Sequence, residues 1–274
     1  MEIVKASNAV GAMVDQVDLT ALDKGQFGQL RSAFFEHGAL FFRDQNLTPE
    51  DHIIFAERWN DIDINRFFTP VEGYPQIAKV LKEPDQQMNI GGGWHTDHSY
   101  DEIPAMGSIL YALEIPPSGG DTLFAGMHAA YDALDGDMKA RLEGLQARHG
   151  NAHIFGKDSE YQKKFGGRFG NTESAVQEAV HPIVLKHPET GTKGLYVNPG
   201  FTLNIVGIDD NESKELLAQL YAHIMQPEFH FRLQWEEGML AMWDNRSTWH
   251  YALNDYHGHR RYLNRITVAG VPLH

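Results

Sequence analysis

The second half of the chain is a succession of short apolar runs broken by Gly, Pro and Asn, and this pattern limits the fold more than any other feature. His181 to Lys186, Gly194 to Val197, Phe229 to Gln234, Met239 to Trp243 and Tyr262 to Val268 read as strands. Ala39 to Phe42, Ile109 to Leu113 and Asp121 to Phe124 read the same way further upstream. Helices are fewer. Residues 25–36 place Phe27, Leu30, Phe34 and Phe35 near a 3.6-residue period, and His37-Gly38 ends that run. Thr48-Pro49-Glu50-Asp51 has the form of a helix start, with Thr48 as N-cap, Pro49 in the first position and a helix running to about Trp59. Asp135 caps a helix through Met138, Leu142 and Leu145. Asn211 caps another, with Leu216, Leu217, Leu220, Tyr221 and Ile224 on its inner face. The expected architecture is mainly β with flanking helices, a sandwich or jelly roll. No linker divides the 274 residues, so residues 1–274 read as one domain. Residues 150–180 lack clear periodicity and are expected to form a lid or binding loop.

Composition excludes several function classes. With 37 acidic against 23 basic residues the formal charge is -14, and no Lys/Arg-rich run offers a nucleic-acid face. The absence of cysteine removes disulfides, thiolate zinc sites and iron–sulfur clusters. No stretch approaches the roughly 18 apolar residues that span a bilayer, and the first residues do not resemble a signal peptide. A cytoplasmic protein acting on a small molecule, with neither nucleic acid nor membrane as partner, is the expectation.

The chemistry is concentrated at Trp94-His95-Thr96-Asp97. On a strand, residues one apart share a face, so the His95 imidazole and the Asp97 carboxylate would stand side by side and could hold one metal ion. Gly91-Gly92-Gly93 permits close packing around such a site. His98 would fall on the opposite face. A further nitrogen would complete a 2-His-1-carboxylate triad, which leaves open positions on an octahedral ion. His153, His181, His187, His223, His230, His250, His257 and His259 are all candidates, and spacing alone does not choose. His250 follows Trp243-Asp244-Asn245-Arg246, a strand end running into a turn, where a β scaffold presents functional groups. Taken singly, His-x-Asp also fits a solvated strand end, and His250 also fits a histidine bonded to backbone.

Trp94-His95-Thr96-Asp97, Gly119-Gly120-Asp121-Thr122 and Trp243-Asp244-Asn245-Arg246 with His250, Arg261 and Arg265 resemble, in order and spacing, the taurine dioxygenase / 2,4-dichlorophenoxyacetate dioxygenase family. The likeness extends to Gly194-Leu195-Tyr196-Val197-Asn198 and Phe201, covering nearly the whole chain. It implies a double-stranded β-helix (jelly roll), Fe(II) and 2-oxoglutarate with O2, and His95, Asp97 and His250 as catalytic iron ligands. It implies Arg261 and Thr122 as the holders of the distal carboxylate of 2-oxoglutarate, a role suited to the planar, permanently charged guanidinium. Arg260 would point the other way. The implied reaction releases succinate and CO2 and hydroxylates a substrate C–H. Where the hydroxylated carbon bears a heteroatom, the product collapses with bond cleavage. Asp97 argues against halogenation, which needs a small residue there. The family also suggests a homo-oligomer.

The substrate is expected to be a small anion. Arg265, on the face of Arg261, either pairs with a substrate carboxylate or sulfonate or forms an ion pair with one of the chain's acids. The histidine with which taurine dioxygenase recognises the amine is missing from Asp61 to Phe68, and Gly91 replaces an asparagine, so taurine is not expected. Tyr100, Phe155 and Phe201, with Asn65, are candidates for the substrate wall. Phe67 and Phe68 fit an ordinary core better. Two competing readings are a non-catalytic metal-binding jelly-roll protein and a zinc-dependent hydrolase. Neither assigns a role to Arg261 and Thr122.

Overall fold

The computed structural model describes residues 1–164 and 176–273. Mainly β architecture with flanking helices is what the chain adopts. The largest sheet has nine strands, in the order Glu2–Lys5, Ala12–Asp15, Ala39–Phe42, Leu240–Asp244, Gly107–Glu114, Arg261–Val268, Tyr74–Lys82 and Pro70–Val71, with Ile62–Asp63 also paired to Arg261–Val268. A three-stranded sheet faces it, made of His230–Leu233, Thr122–Gly126 and Thr248–Ala252. The apolar layer between the two takes Phe41, Leu110, Ala241, Trp243 and Leu263 from one side and Phe124 and Leu233 from the other. Phe124 packs against both Phe41 and Trp243, with centroids 5.1 and 5.6 Å apart. A residue such as Phe124, with 0% exposure, anchors the layer through about 2–3 kcal/mol of hydrophobic burial.

Helices Lys24–His37 and Pro49–Glu57 cover the outer face of the large sheet, where Leu30, Phe34, Phe55 and Trp59 pack with Leu40, Phe42, Leu240 and Met242. The second helix starts as its sequence requires: Thr48 Oγ1 accepts from the Asp51 N–H, and the Asp51 carboxylate accepts from the Thr48 N–H. Gly38 ends the first helix in the left-handed conformation, at φ 71°.

Several expectations need correction. Asp209, not Asn211, caps helix Asp210–Ile224, because its carboxylate reaches the N–H groups of Asn211 and Glu212. The helix after Asp135 stops at Leu142, since Gly144 turns the chain at φ 77° and leaves Leu145 outside. The run from His181 to Lys186 is not one strand. It divides into Glu178–Pro182 and Val184–Lys186, which pair in different sheets. Strands Tyr74–Lys82 and Gln146–Gly150 carry no clear alternation, and the alternation of Thr202–Ile205 and Thr248–Ala252 spans only four residues, so all four are visible only in the fold. Within 150–180, short helices form at Ala152–Phe155 and Glu160–Lys164, and the lid expectation for 165–175 lies outside the described residues.

The Trp243-Asp244-Asn245-Arg246 run is a structural clamp. Buried Asp244 accepts from Arg246 Nε and Nη2 at 2.8 and 2.7 Å, and pairs with His187 Nε2 at 2.9 Å. Burial opposes the Asp244 charge, but the Arg246 guanidinium holds its carboxyl well below the usual range. The clamp fixes the turn between Leu240–Asp244 and Thr248–Ala252 and thereby sets where His250 lies.

Candidate active site

His95 is not on a regular strand. It makes an isolated antiparallel bridge to His250, with N–H to carbonyl bonds of 3.1 and 2.9 Å in the two directions. The chain then turns at residues 97–100, where His98 takes φ 60°, a left-handed conformation uncommon outside glycine. The bridge and the turn together, rather than strand alternation, bring His95 and Asp97 to one point. His95 Nε2 lies 3.6 Å from Asp97 Oδ1, and His250 Nε2 lies 3.7 Å from Asp97 Oδ2. Groups at this separation can share one ion with bonds of about 2.1 Å.

The surroundings prepare these ligands. His95 Nδ1 donates to the Gly93 carbonyl at 2.8 Å, which leaves Nε2 as the free lone pair toward Asp97. Gly200 lets the backbone approach: a Cβ there would stand 2.7 Å from the His95 Cβ. Burial, then His95, pushes the His250 imidazole well below its ordinary value, so it is neutral and fit to coordinate. Burial opposes ionisation of Asp97, yet the Arg265 guanidinium, followed by His250 and His95, keeps its carboxyl far below the carboxylate range. The three residues suit a hard or borderline divalent cation, with nitrogen and oxygen donors only.

The remaining histidine candidates are bound elsewhere. His153, His181, His223 and His230 each use Nε2 on a backbone carbonyl, at 2.8 to 3.0 Å, and His187 belongs to the Asp244 clamp. His257 and His259 are exposed. Among the described residues a second acidic–histidine group is Asp63, His98 and Asp101. Its Asp101 is held by Arg66 Nη2 at 2.8 and 2.7 Å and by His98 Nδ1 at 2.8 Å, so a guanidinium already supplies the positive charge. Spacing gave no hint of this network, which ties the 61–68 segment to the turn after Asp97.

The cavity beside the metal-type residues has a volume of about 170 Å³. Thr122 and Arg261 are among the residues that line it. Arg261 is 4% exposed, its Nε donates to the Gly120 carbonyl at 3.0 Å, and its buried Nη2 has no partner among the described residues. Burial lowers its affinity for the proton, and an anion would offset that cost. Gly119 and Gly120 turn at φ 75° and 73°, and a Cβ on Gly120 would crowd the Arg261 Cδ at 3.1 Å. Arg260 faces away, bound to Glu83 and Glu114.

Arg265 also lines the cavity, but its Nη2 donates to Asp97 Oδ2 at 2.9 Å, so it is an ion-pair partner of the central carboxylate. Tyr100, Phe155 and Phe201 form one buried cluster with Phe67, which stacks on Phe155 at 3.9 Å and 13°. Phe67 therefore belongs to the cavity wall and not to the main core, because the chain between Asn65 and Phe68 turns inward. Asn65 lines the cavity too, with its Oδ1 occupied by the N–H groups of Phe67 and Phe68 at 2.9 and 2.8 Å.

Comparison with known proteins agrees with this geometry. The (S)-phenoxypropionate/alpha-ketoglutarate-dioxygenase of Sphingobium herbicidovorans is 34% identical over 99% of this chain and 96% of its own length. An alkylsulfatase of Acinetobacter baylyi is 33% identical over 98% of this chain and 85% of that protein. The crystal structure of a taurine dioxygenase from Burkholderia xenovorans superposes with a TM-score of 0.83 at 34% identity, over 98% of this chain and 90% of that one. Enzymes of this class use Fe(II), 2-oxoglutarate and O2. The family described as taurine catabolism dioxygenase TauD, TfdA matches residues 2–267, and the chain belongs to it as a 2-oxoglutarate-dependent dioxygenase.

Proposed function

We propose that this protein oxidises a small organic anion with an apolar, ring-compatible body, at a single Fe(II) held by His95, Asp97 and His250. The scaffold is a double-stranded β-helix, and the whole chain is one catalytic domain. One observation carries the reading: three ligand-type residues converge within 4.8 Å beside a cavity whose lining includes a buried guanidinium nitrogen with no partner among the described residues. When bound, Fe(II) with 2-oxoglutarate supplies the oxidation, coupling release of succinate and CO2 to transfer of an oxygen atom from O2 to a substrate C–H.

The chain's own residues do the rest. Arg261 pairs with the distal carboxylate of 2-oxoglutarate through Nη2, and Thr122 donates its hydroxyl proton to the same group. His95, donating through Nδ1 to the Gly93 carbonyl, presents Nε2 as a ligand. Phe67, Phe155, Phe201 and Tyr100 exclude water and pack against the substrate body. Tyr100 stays a neutral phenol, since burial, then Asp101 and Asp97, raises its pKa. Arg265 faces the cavity while bound to Asp97, and the substrate's carboxylate, sulfonate or sulfate approaches it. The relatives named for phenoxypropionate and for alkyl sulfates support an anion carried on an apolar body.

The protein works in the cytoplasm as a homo-oligomer. Among the described residues no helix is long and apolar enough to cross a membrane. The test is aerobic succinate formation from 2-oxoglutarate with added Fe(II) and ascorbate, screened with aryloxyalkanoates, alkyl sulfates and alkyl sulfonates. Stimulation by one of these classes is expected. Stimulation only by amines or neutral compounds would overturn the anionic-substrate reading.

A further inference from the structure

Two residues of the 2-oxoglutarate end of the cavity share a neighbour that the reaction has not yet used. Trp235 lies just beyond strand His230–Leu233 and is 5% exposed. Its indole Nε1–H donates to the Thr122 hydroxyl oxygen at 2.9 Å, and its ring lies 5.7 Å from the Arg261 guanidinium carbon. The turn that follows it is closed by the Met239 N–H bonded to the Glu236 carbonyl at 3.1 Å.

The hydrogen-bond inventory of these groups is restrictive. An indole N–H can only donate, while a threonine hydroxyl carries one proton and two lone pairs. With Trp235 donating to it, Thr122 uses a lone pair, and its own proton is free. Among the described residues that proton reaches no protein acceptor. An oxygen that accepts one bond becomes a better donor in the next, more so where water is excluded. The same ring lies within about 6 Å of the guanidinium, near enough for a cation–π contact.

We infer that Trp235 is a positioning residue for 2-oxoglutarate, one that turns the Thr122 hydroxyl proton toward the distal carboxylate and supports Arg261 from behind. This rests on the reading that Thr122 and Arg261 hold that carboxylate. Phenylalanine at 235 keeps most of the ring and removes the donor.

The experiment is a calorimetric titration of 2-oxoglutarate into Fe(II)-loaded enzyme under anaerobic conditions, which reads binding without turnover. Trp235→Phe should raise the 2-oxoglutarate Kd about three- to tenfold, the worth of one hydrogen bond. Thr122→Val should weaken binding by a similar factor, and the double variant should be no weaker than Thr122→Val alone. Equal and additive losses from the two substitutions would mean that Trp235 only packs, and would overturn the inference. Wild-type affinity in Trp235→Phe alongside a weak Thr122→Val would overturn it too. If neither Thr122→Val nor Arg261→Gln weakens binding, the placement of the carboxylate is itself wrong. Should Trp235→Phe fold poorly, the indole N–H resonance of Trp235 in Zn(II)-loaded protein serves instead. It should shift in Thr122→Val and stay near its wild-type position in Thr122→Ser; no shift in Thr122→Val overturns the inference.

Discussion

Arg265 donates through Nη2 to Asp97 Oδ2 at 2.9 Å, and Ser108 Oγ donates to the same oxygen at 3.0 Å. Two donors from two central strands of the large sheet, Arg261–Val268 and Gly107–Glu114, thus fix one oxygen of the Asp97 carboxylate. The arginine that lines the cavity is also the one that sets the charge and direction of Asp97.

Arg265→Ala is therefore expected to act on two quantities at once. Fe(II) affinity should fall about tenfold or more, as for other groups that orient a ligand, and the substrate KM should rise. Metal affinity by competition with a fluorescent chelator, measured beside KM, separates the two. A raised KM with unchanged Fe(II) affinity would mean that the Asp97 contact is dispensable.

His95→Ala should abolish substrate-stimulated succinate formation, since two ligands do not hold the ion against water. His95 is half-buried at the cavity edge and its loss leaves the core intact, so Tm of the metal-free protein should change by only a few degrees. Residual turnover above about a thousandth of wild type would argue that another group replaces it.

Phe155→Ala should cost substrate recognition more than cosubstrate recognition. Its ring stacks on Phe67 at 3.9 Å and also packs near Phe201 and Tyr100, with no ring contact to Arg261. The expected result is a substrate KM raised about tenfold with the 2-oxoglutarate KM within about twofold, which corresponds to about 1.4 kcal/mol of lost contact. Equal effects on both constants would show a general disturbance of the cavity.

Acid should destabilise the fold through two buried histidines that are not part of the metal-type group. Burial lowers His52 to about 4 and His149 to about 3, from 6.5 for the free side chain. The unfolded chain then binds protons first as the pH falls. Their contribution is complete above pH 6.5 and is lost progressively toward pH 4 for His52 and pH 3 for His149. At pH 5 each costs about 2 kcal/mol, or roughly 5 °C in Tm. His52→Leu should reduce the drop in Tm between pH 7 and pH 5, read by calorimetry, by about that amount. An unchanged drop would rule out His52 as a source.

Legibility differed by the range of the interaction. The start of helix Pro49–Glu57 was readable because its cap lies three residues from the group it serves. Asp209 escaped because Asn211, two residues on, is also a good capping residue and only the backbone path decides between them. Strand Thr248–Ala252 escaped because its polar–apolar alternation, Thr-Trp-His-Tyr, is only four residues long. Trp235 and the Arg66–Asp101–His98 network had no local signal. Their partners are separated by 113, 35 and 3 residues, and even the nearest pair depends on the left-handed turn at His98.

What the sequence determined by itself was the set of chemical groups and their order along the chain: imidazoles and a carboxylate of the kind that bind metals, a threonine and an arginine of the kind that bind carboxylates, and apolar runs sufficient for two facing sheets. The family resemblance pointed to His250 as the third residue, and the tertiary structure brought it beside His95 and Asp97; only the tertiary structure decided that Arg265 serves Asp97 and that Phe67 lines the cavity. The reason is physical. Side-chain chemistry and capping are local properties of the chain, whereas a site is a meeting of segments far apart in sequence, and strand pairing settles which of them meet.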